Sequence, residues 1–259
     1  MRLIHLYAML FSLALRRQLA FRADLGFEIV STLVTLAASL AALLAVFTRS
    51  DQLGGFTASQ AVMLLGTFQI VSGLRQALIE PNLRFNGHQI ADGSFDAILT
   101  QPAPSIFLSS LGGAAPITLA QTVMGMIVVL ITDITHPTGI TPVGAISWLL
   151  LVAAATVVMW ATRCIIAATV FWALGFTLDV AYDAFWQLGG YPTTMLNRPL
   201  QLLTYVVPVA FLATVPTAVL IGRTTPLWTL AGFGVALISA IVATTIWRLG
   251  IHNYSSATS

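Results

Sequence analysis

Few residues in this chain can do chemistry, and their spacing excludes most reactions. Eleven arginines supply the Lys/Arg charge; there is no lysine. A P-loop needs GxxxxGK[ST], whose lysine reaches the β- and γ-phosphates, and Schiff-base chemistry needs a lysine amine. Neither can be built here, so any ATP that drives this protein is hydrolysed by another polypeptide. The single Cys164 cannot form a disulfide framework or a cysteine metal site. His5, His88, His136 and His252 lie far apart with no HExxH-type spacing, and no G-x-S-x-G elbow is present. Asp179 and Asp183 share a helical face. Carboxylates within a membrane suggest cation or proton carriage, or Mg²⁺ binding to a prenyl diphosphate. A synthase of that kind needs a second acidic cluster, and Asp133 with His136 does not repeat the pattern. We therefore place the two aspartates at a solvated helix boundary. Arg75 is expected to snorkel to the interface. Gln69 and Gln121 lie inside apolar runs and need partners, either along a substrate path or between helices.

The elements that must position these residues are set by composition. Of 259 residues, 58% are hydrophobic and only 8% charged, with mean hydropathy +0.91. Soluble domains carry about 25% charged residues. The solvent is therefore lipid, and the expected fold is an all-α membrane protein forming a single transmembrane domain over residues 1–259. A net charge of +2 is too small to suggest nucleic-acid binding.

Residues 3–15 are apolar but too short to span, and they end in Arg16-Arg17; residues 1–28 read as an interfacial helix on membrane lipid. Six transmembrane helices follow: Ile29–Phe47, Phe56–Ile79, Ser105–Thr132, Pro142–Thr162, Cys164–Tyr182 and Leu227–Trp247. The fourth and fifth come from one long apolar run with Arg163 at its midpoint. An arginine at the bilayer centre costs about 3 kcal/mol on the mildest scale, so a hairpin at Arg163 is expected. Five prolines, Pro192, Pro199, Pro208, Pro216 and Pro226, crowd the stretch before the last span. Interior prolines remove helix hydrogen bonds, so 184–225 is expected to form short re-entrant external helices, with Pro208 and Pro216 at an outer gate. Among the tryptophans, Trp172 is expected in the core and most others in interfacial belts. With both termini cytoplasmic, Arg2, Arg16, Arg17, Arg22, Arg84, Arg163 and Arg248 lie inside and Arg49, Arg198 and Arg223 outside, as the positive-inside rule requires.

The stretch from Glu80 to Pro102 interrupts this oily sequence with Glu80, Arg84, His88, Asp92 and Asp96. Within it, Asp92 or Ser94 can cap a helix. Phe95, Ile98 and Leu99 follow i, i+3, i+4 spacing, and Pro102 stops the helix. The spacing predicts a short amphipathic helix parallel to the membrane, suited to docking a soluble partner or simply lying at the interface.

Three features carry a family resemblance: Gly93, Phe95, Asp96, Leu99 and Pro102 in the pattern G-x-[FL]-D-x-x-L-x-x-P before a span; the tail Trp247-Arg248-x-Gly250 followed by Tyr254-Ser255-Ser256-Ala257; and the proline-rich region before the final span. Together they resemble type-2 permeases of bacterial ATP-binding-cassette exporters. The resemblance implies a cytoplasmic coupling helix in segment 80–102, with Gly93, Phe95, Asp96 and Leu99, flanked by Arg84 and Asp92, contacting a P-loop ATPase subunit. It implies a second permease subunit, identical or homologous, in the bacterial inner membrane. No cofactor is expected in this chain, ATP and Mg being held by the partner. The expected function is ATP-driven export of a small amphiphile or lipid-like substrate by alternating access, along a path that includes Gln69 and Gln121. The alternative is an ion- or proton-coupled carrier or channel without an ATPase, leaning on Asp179, Asp183 and Gln69.

Overall fold

A computed structural model describes residues 2–19, 22–83, 93–173 and 178–254. Among these residues the chain is mostly helical, without strands. An N-terminal helix α1 (Arg2–Leu19) precedes α2 (Arg22–Phe47) and α3 (Ala58–Leu78). The polar segment then carries two single turns, α4 (Glu80–Leu83) and α5 (Asp96–Leu99), and the short α6 (Ser105–Leu111). Two long helices follow, α7 (Leu119–Thr135) and α8 (Pro142–Ala168). The remaining elements are α9 (Asp179–Gln187), α10 (Arg198–Val206), α11 (Thr214–Leu220) and the closing α12 (Trp228–Asn253).

Among the described residues, five stretches are long and apolar enough to cross a membrane: Asp24–Phe47, Ala58–Leu78, Pro116–Thr135, Pro142–Phe171 and Trp228–Asn253. By length and composition, α10 and the bent run Val209–Leu220 make a sixth candidate among the described residues if they are taken as one span across a 71° bend. Helix α3 is the centre of the bundle: 67% of its most apolar stretch is buried, against 17% for the spans of α2, α7 and α12. Those outer helices expose Val30, Val34, Ile131, Ile134, Leu237 and Ile238. Such faces are stable against lipid and would be costly in water.

Small residues let α3 and α7 approach closely. A Cβ on Gly73 would fall 2.4 Å from Thr122 Oγ1 and 2.5 Å from its backbone nitrogen. A Cβ on Gly125 would fall 2.6 Å from the Gly66 carbonyl. This is the small-residue packing that replaces the hydrophobic drive between helices in lipid. Tryptophan N–H groups add cross-links: Trp148 donates to Thr67 Oγ1 at 3.1 Å and Trp160 to Ser110 Oγ at 2.8 Å.

Several expectations are corrected. No hairpin forms at Arg163: α8 runs through it, and Arg163 is 2% exposed. The expected penalty assumed an isolated charge, and the structure supplies carboxylates. Consequently Cys164–Tyr182 is not a span; the helix ends in a 3-10 turn at Thr169–Phe171 and α9 starts at Asp179. The expected span Ser105–Thr132 is broken at residues 112–115, between α6 and a 3-10 turn at Pro116–Thr118. Trp172 is 50% exposed, whereas Trp148, Trp186 and Trp247 are buried.

Short helices do fill 184–225: the end of α9, 3-10 turns at Leu188–Gly190 and Thr193–Met195, α10, a 3-10 turn at Val209–Phe211, and α11. Pro208 sits at the break between α10 and that last turn. Pro216, fully packed in α11, is the third residue of its helix, where an N–H would have no intrahelical acceptor.

Candidate functional site

The face Asp179, Tyr182, Asp183, Trp186 of α9 follows i, i+3, i+4, i+7 spacing and lies against α3 and α8. There it meets two arginines. Arg163 Nη1 donates to Asp179 Oδ1. Arg75 Nη1 donates to Glu80 Oε1 at 2.8 Å and to Asp183 Oδ1 at 3.2 Å. Arg163 Nε lies 3.7 Å from the other oxygen of Glu80, an ion-pair distance too long for a hydrogen bond. The Tyr182 ring holds both guanidinium groups, at 5.8 Å from Arg75 and 5.2 Å from Arg163; Arg75 also stacks on Trp186 at 4.9 Å. Among the described residues, Arg75 Nε, Arg163 Nε and the Tyr182 hydroxyl are buried without a hydrogen-bond partner. Charge and cation–π attraction therefore hold this centre more than hydrogen-bond saturation does. Arg75 does not snorkel, and Asp179 and Asp183 are not simply solvated: each is about a third exposed and paired with an arginine.

Glu80 makes the centre more than a structural pin. It is the first residue of the polar segment after α3, and it binds arginines from two long helices. The other end of that segment is also fixed. Gly93 takes φ +77°, a left-handed conformation in which glycine lacks the Cβ penalty, and α5 starts after Phe95 without a side-chain cap. Phe95 is 0% exposed. Its ring meets Phe171 and Tyr254 at 5.5 Å each and Trp247 at 6.3 Å, all edge-on. Phe171 meets Trp247 at 5.4 Å, and a Cβ on Gly250 would fall 2.4 Å from the Phe171 ring. Trp247 Nε1 donates to Ser105 Oγ at 3.3 Å. Trp247, Gly250 and Tyr254 recur at i, i+3, i+7, so the C-terminal motif forms a receptacle for the segment's phenylalanine.

The expected amphipathic stripe therefore splits. Phe95 is an inward anchor rather than a surface contact, Ile98 packs against the core, and Leu99 is 39% exposed. Asp96 is half-buried beside it. Arg84 and Asp92, named with them from the sequence, lie outside the described residues.

Gln69 and Gln121 are brought together. Gln76 Nε2 donates to Gln121 Oε1 at 2.9 Å, and Gln121 Nε2 donates to Gln69 Oε1 at 2.8 Å. This amide chain lines a cleft of about 360 Å³ between α2, α3, α7 and α9, whose wall also includes Ser72, Arg75 and Trp186. A separate apolar cavity of about 210 Å³ lies between α8, α9 and the Pro208 bend. Pro216 lines neither. Among the described residues no group of three or more His, Cys, Asp or Glu is placed to hold a metal ion.

Sequence reasoning missed Arg163, Phe171, Tyr182 and Trp186 as partners. The available signals were the periodicity of α9 and of the tail, together with the need of each intramembrane charge for a counter-charge.

A polar segment is thus locked at Glu80 to α3 and α8 and at Phe95 to α12. A family model described as ABC-2 family transporter protein matches residues 33–258, which include both anchors, the C-terminal part of α2 and every later long helix. No curated protein and no solved structure matches the chain. With a family match over most of its length, on a bundle of membrane-length helices, the chain belongs to the ABC-2 transporter family and is the membrane component of an ABC transporter, whose ATP is hydrolysed by a separate ATPase subunit.

Proposed function

We propose that this subunit exports a small amphiphile or lipid-like substrate across the bacterial cytoplasmic membrane. It pairs with a second permease subunit around a central path, and both termini face the cytoplasm. The five long helices supply five crossings. The sixth is the short leg from Asp179 to Met195, which runs antiparallel to α3: Asp183 meets Arg75, Trp186 meets Ser72, and Gly190 meets Phe68. The leg ends where Thr194 Oγ1 donates to the Gly54 carbonyl at 2.7 Å. On this reading α10 and α11 are re-entrant on the outer side, where Arg223 also donates to the Gly55 carbonyl. The Pro208 bend and Pro216 form the outer gate, and the cleft beside Gln69 and Gln121 belongs to the substrate path.

The observation that carries the proposal is the double anchoring of segment 80–102. An ATPase docked on Asp96 and Leu99, with Gly93 setting the turn and Arg84 and Asp92 beside it, pulls on Glu80 and Phe95. Those anchors pass the displacement to α3, α8, α9 and α12. ATP binding reorients the bundle only to the extent that it favours one state by a differential free energy. The ion-coupled carrier reading loses ground because its two candidate aspartates are paired with arginines.

The test is reconstitution with the partner ATPase subunit. ATP-dependent transport that persists when an ionophore collapses ion gradients is expected. Transport that needs a gradient and proceeds without ATP would refute the proposal.

A further inference from the structure

A cleft of about 580 Å³ separates α1 from the irregular stretch 112–117. It lies at the end of α3, where the Ala115 N–H donates to the Ala77 carbonyl at 2.8 Å, and Gln18 ties α1 to the far wall by accepting from the Ile117 N–H at 2.9 Å. Its walls have three chemistries. Leu10 and Leu13 offer an apolar face, and Leu13 is 65% exposed. Arg17 and Asp24 bring opposite charges from α1 and α2, and among the described residues neither has an ion-pair partner. Gly113 and Ala114 have backbone N–H groups with no hydrogen-bond partner among the described residues. Non-helical backbone near membrane depth requires its polar groups to be satisfied.

We propose that this cleft binds the headgroup of a zwitterionic aminophospholipid, phosphatidylethanolamine. The phosphate accepts from the Arg17 guanidinium and the free N–H groups at 113 and 114. The primary ammonium donates to the Asp24 carboxylate. The acyl chains lie along Leu10 and Leu13. The pairing of a cation with an anion sets the headgroup: a purely anionic lipid would satisfy Arg17 and be repelled by Asp24, and a quaternary ammonium cannot donate a hydrogen bond to Asp24. The apolar wall sets the source as a lipid rather than a soluble phosphoamine. A lipid seated here bridges α1 to the break at 112–115 before α7.

Native mass spectrometry of the full chain in detergent micelles tests this, with equimolar phosphatidylethanolamine, phosphatidylglycerol and phosphatidylcholine as competitors. Wild type should retain phosphatidylethanolamine severalfold over the others. R17Q should lower retention of all phospholipids, on the order of fivefold for one cation near the headgroup level. D24N should erase the preference over phosphatidylglycerol. Both side chains are exposed, so an unchanged melting temperature is expected to accompany the effects. L13D, on the exposed wall, should weaken retention independently of either charge. Equal retention of phosphatidylethanolamine and phosphatidylglycerol by wild type would overturn the proposal, as would unchanged retention in all three variants. Competition by equimolar glycerophosphoethanolamine would show a soluble phosphoamine site and reject the lipid.

Discussion

Arg163 donates to Asp179 across the break that ends α8, so a guanidinium buried in a membrane-length helix is neutralised by the first residue of the next described helix. The two ends of this pair differ in burial, with side-chain exposures of 2% and 37%. Removing a partner from a buried ion pair leaves an uncompensated charge and costs about 3–5 kcal/mol. Asp179→Asn strands the more deeply buried charge, leaving among the described residues only Glu80 at ion-pair distance. It should therefore destabilise more than Arg163→Met, which leaves a partly solvated carboxylate. Thermal denaturation of the two variants in micelles checks the order, and the double variant R163M/D179N should recover part of the loss.

Phe95 and Leu99 sit one helical turn apart and should behave in opposite ways. Phe95→Ala empties a site closed by three aromatic rings, and such truncations cost about 3–5 kcal/mol. We expect a lower melting temperature and loss of transport while the partner ATPase still hydrolyses ATP. Leu99→Ala should leave the melting temperature unchanged and weaken ATPase association, measured by co-purification.

Gly73 is a point of contact between α3 and α7, with backbone as well as side chain in the way of a Cβ. Gly73→Ala forces the pair apart, and overpacking of this kind costs about 1–3 kcal/mol. Gly234, with open space around it, is the control: Gly234→Ala should leave the melting temperature unchanged.

Gln121 is the middle of the amide chain, accepting from one glutamine and donating to another. Gln121→Leu breaks both bonds. Interhelical hydrogen bonds in membranes average about 0.6 kcal/mol each, so folding should survive. If the cleft belongs to the path, transport should show a raised KM for substrate with basal ATPase activity retained.

Legibility in the sequence followed the range of the interactions. The membrane setting, the long helices α2, α3 and α12 and the interruption after α3 were readable because hydropathy is local and additive along the chain. The tail and the G-x-F-D pattern were each recognisable for the same reason. The path of residues 163–183 was not readable: a single arginine in an apolar run is costly only while it is alone, and its counter-charges come from Glu80 and Asp179 in other elements. The break at 112–115 was masked by a run apolar enough to pass as one span.

Composition and periodicity by themselves determined that this is a helical membrane protein without the lysine of a P-loop, carrying one polar segment between its second and third membrane-length helices. Only tertiary structure decided what that segment holds. It turned Phe95 inward to the Trp247–Tyr254 receptacle and set Glu80 between two arginines, because ring contacts and charge pairing depend on which helices are neighbours in space, a relation that local hydropathy does not encode.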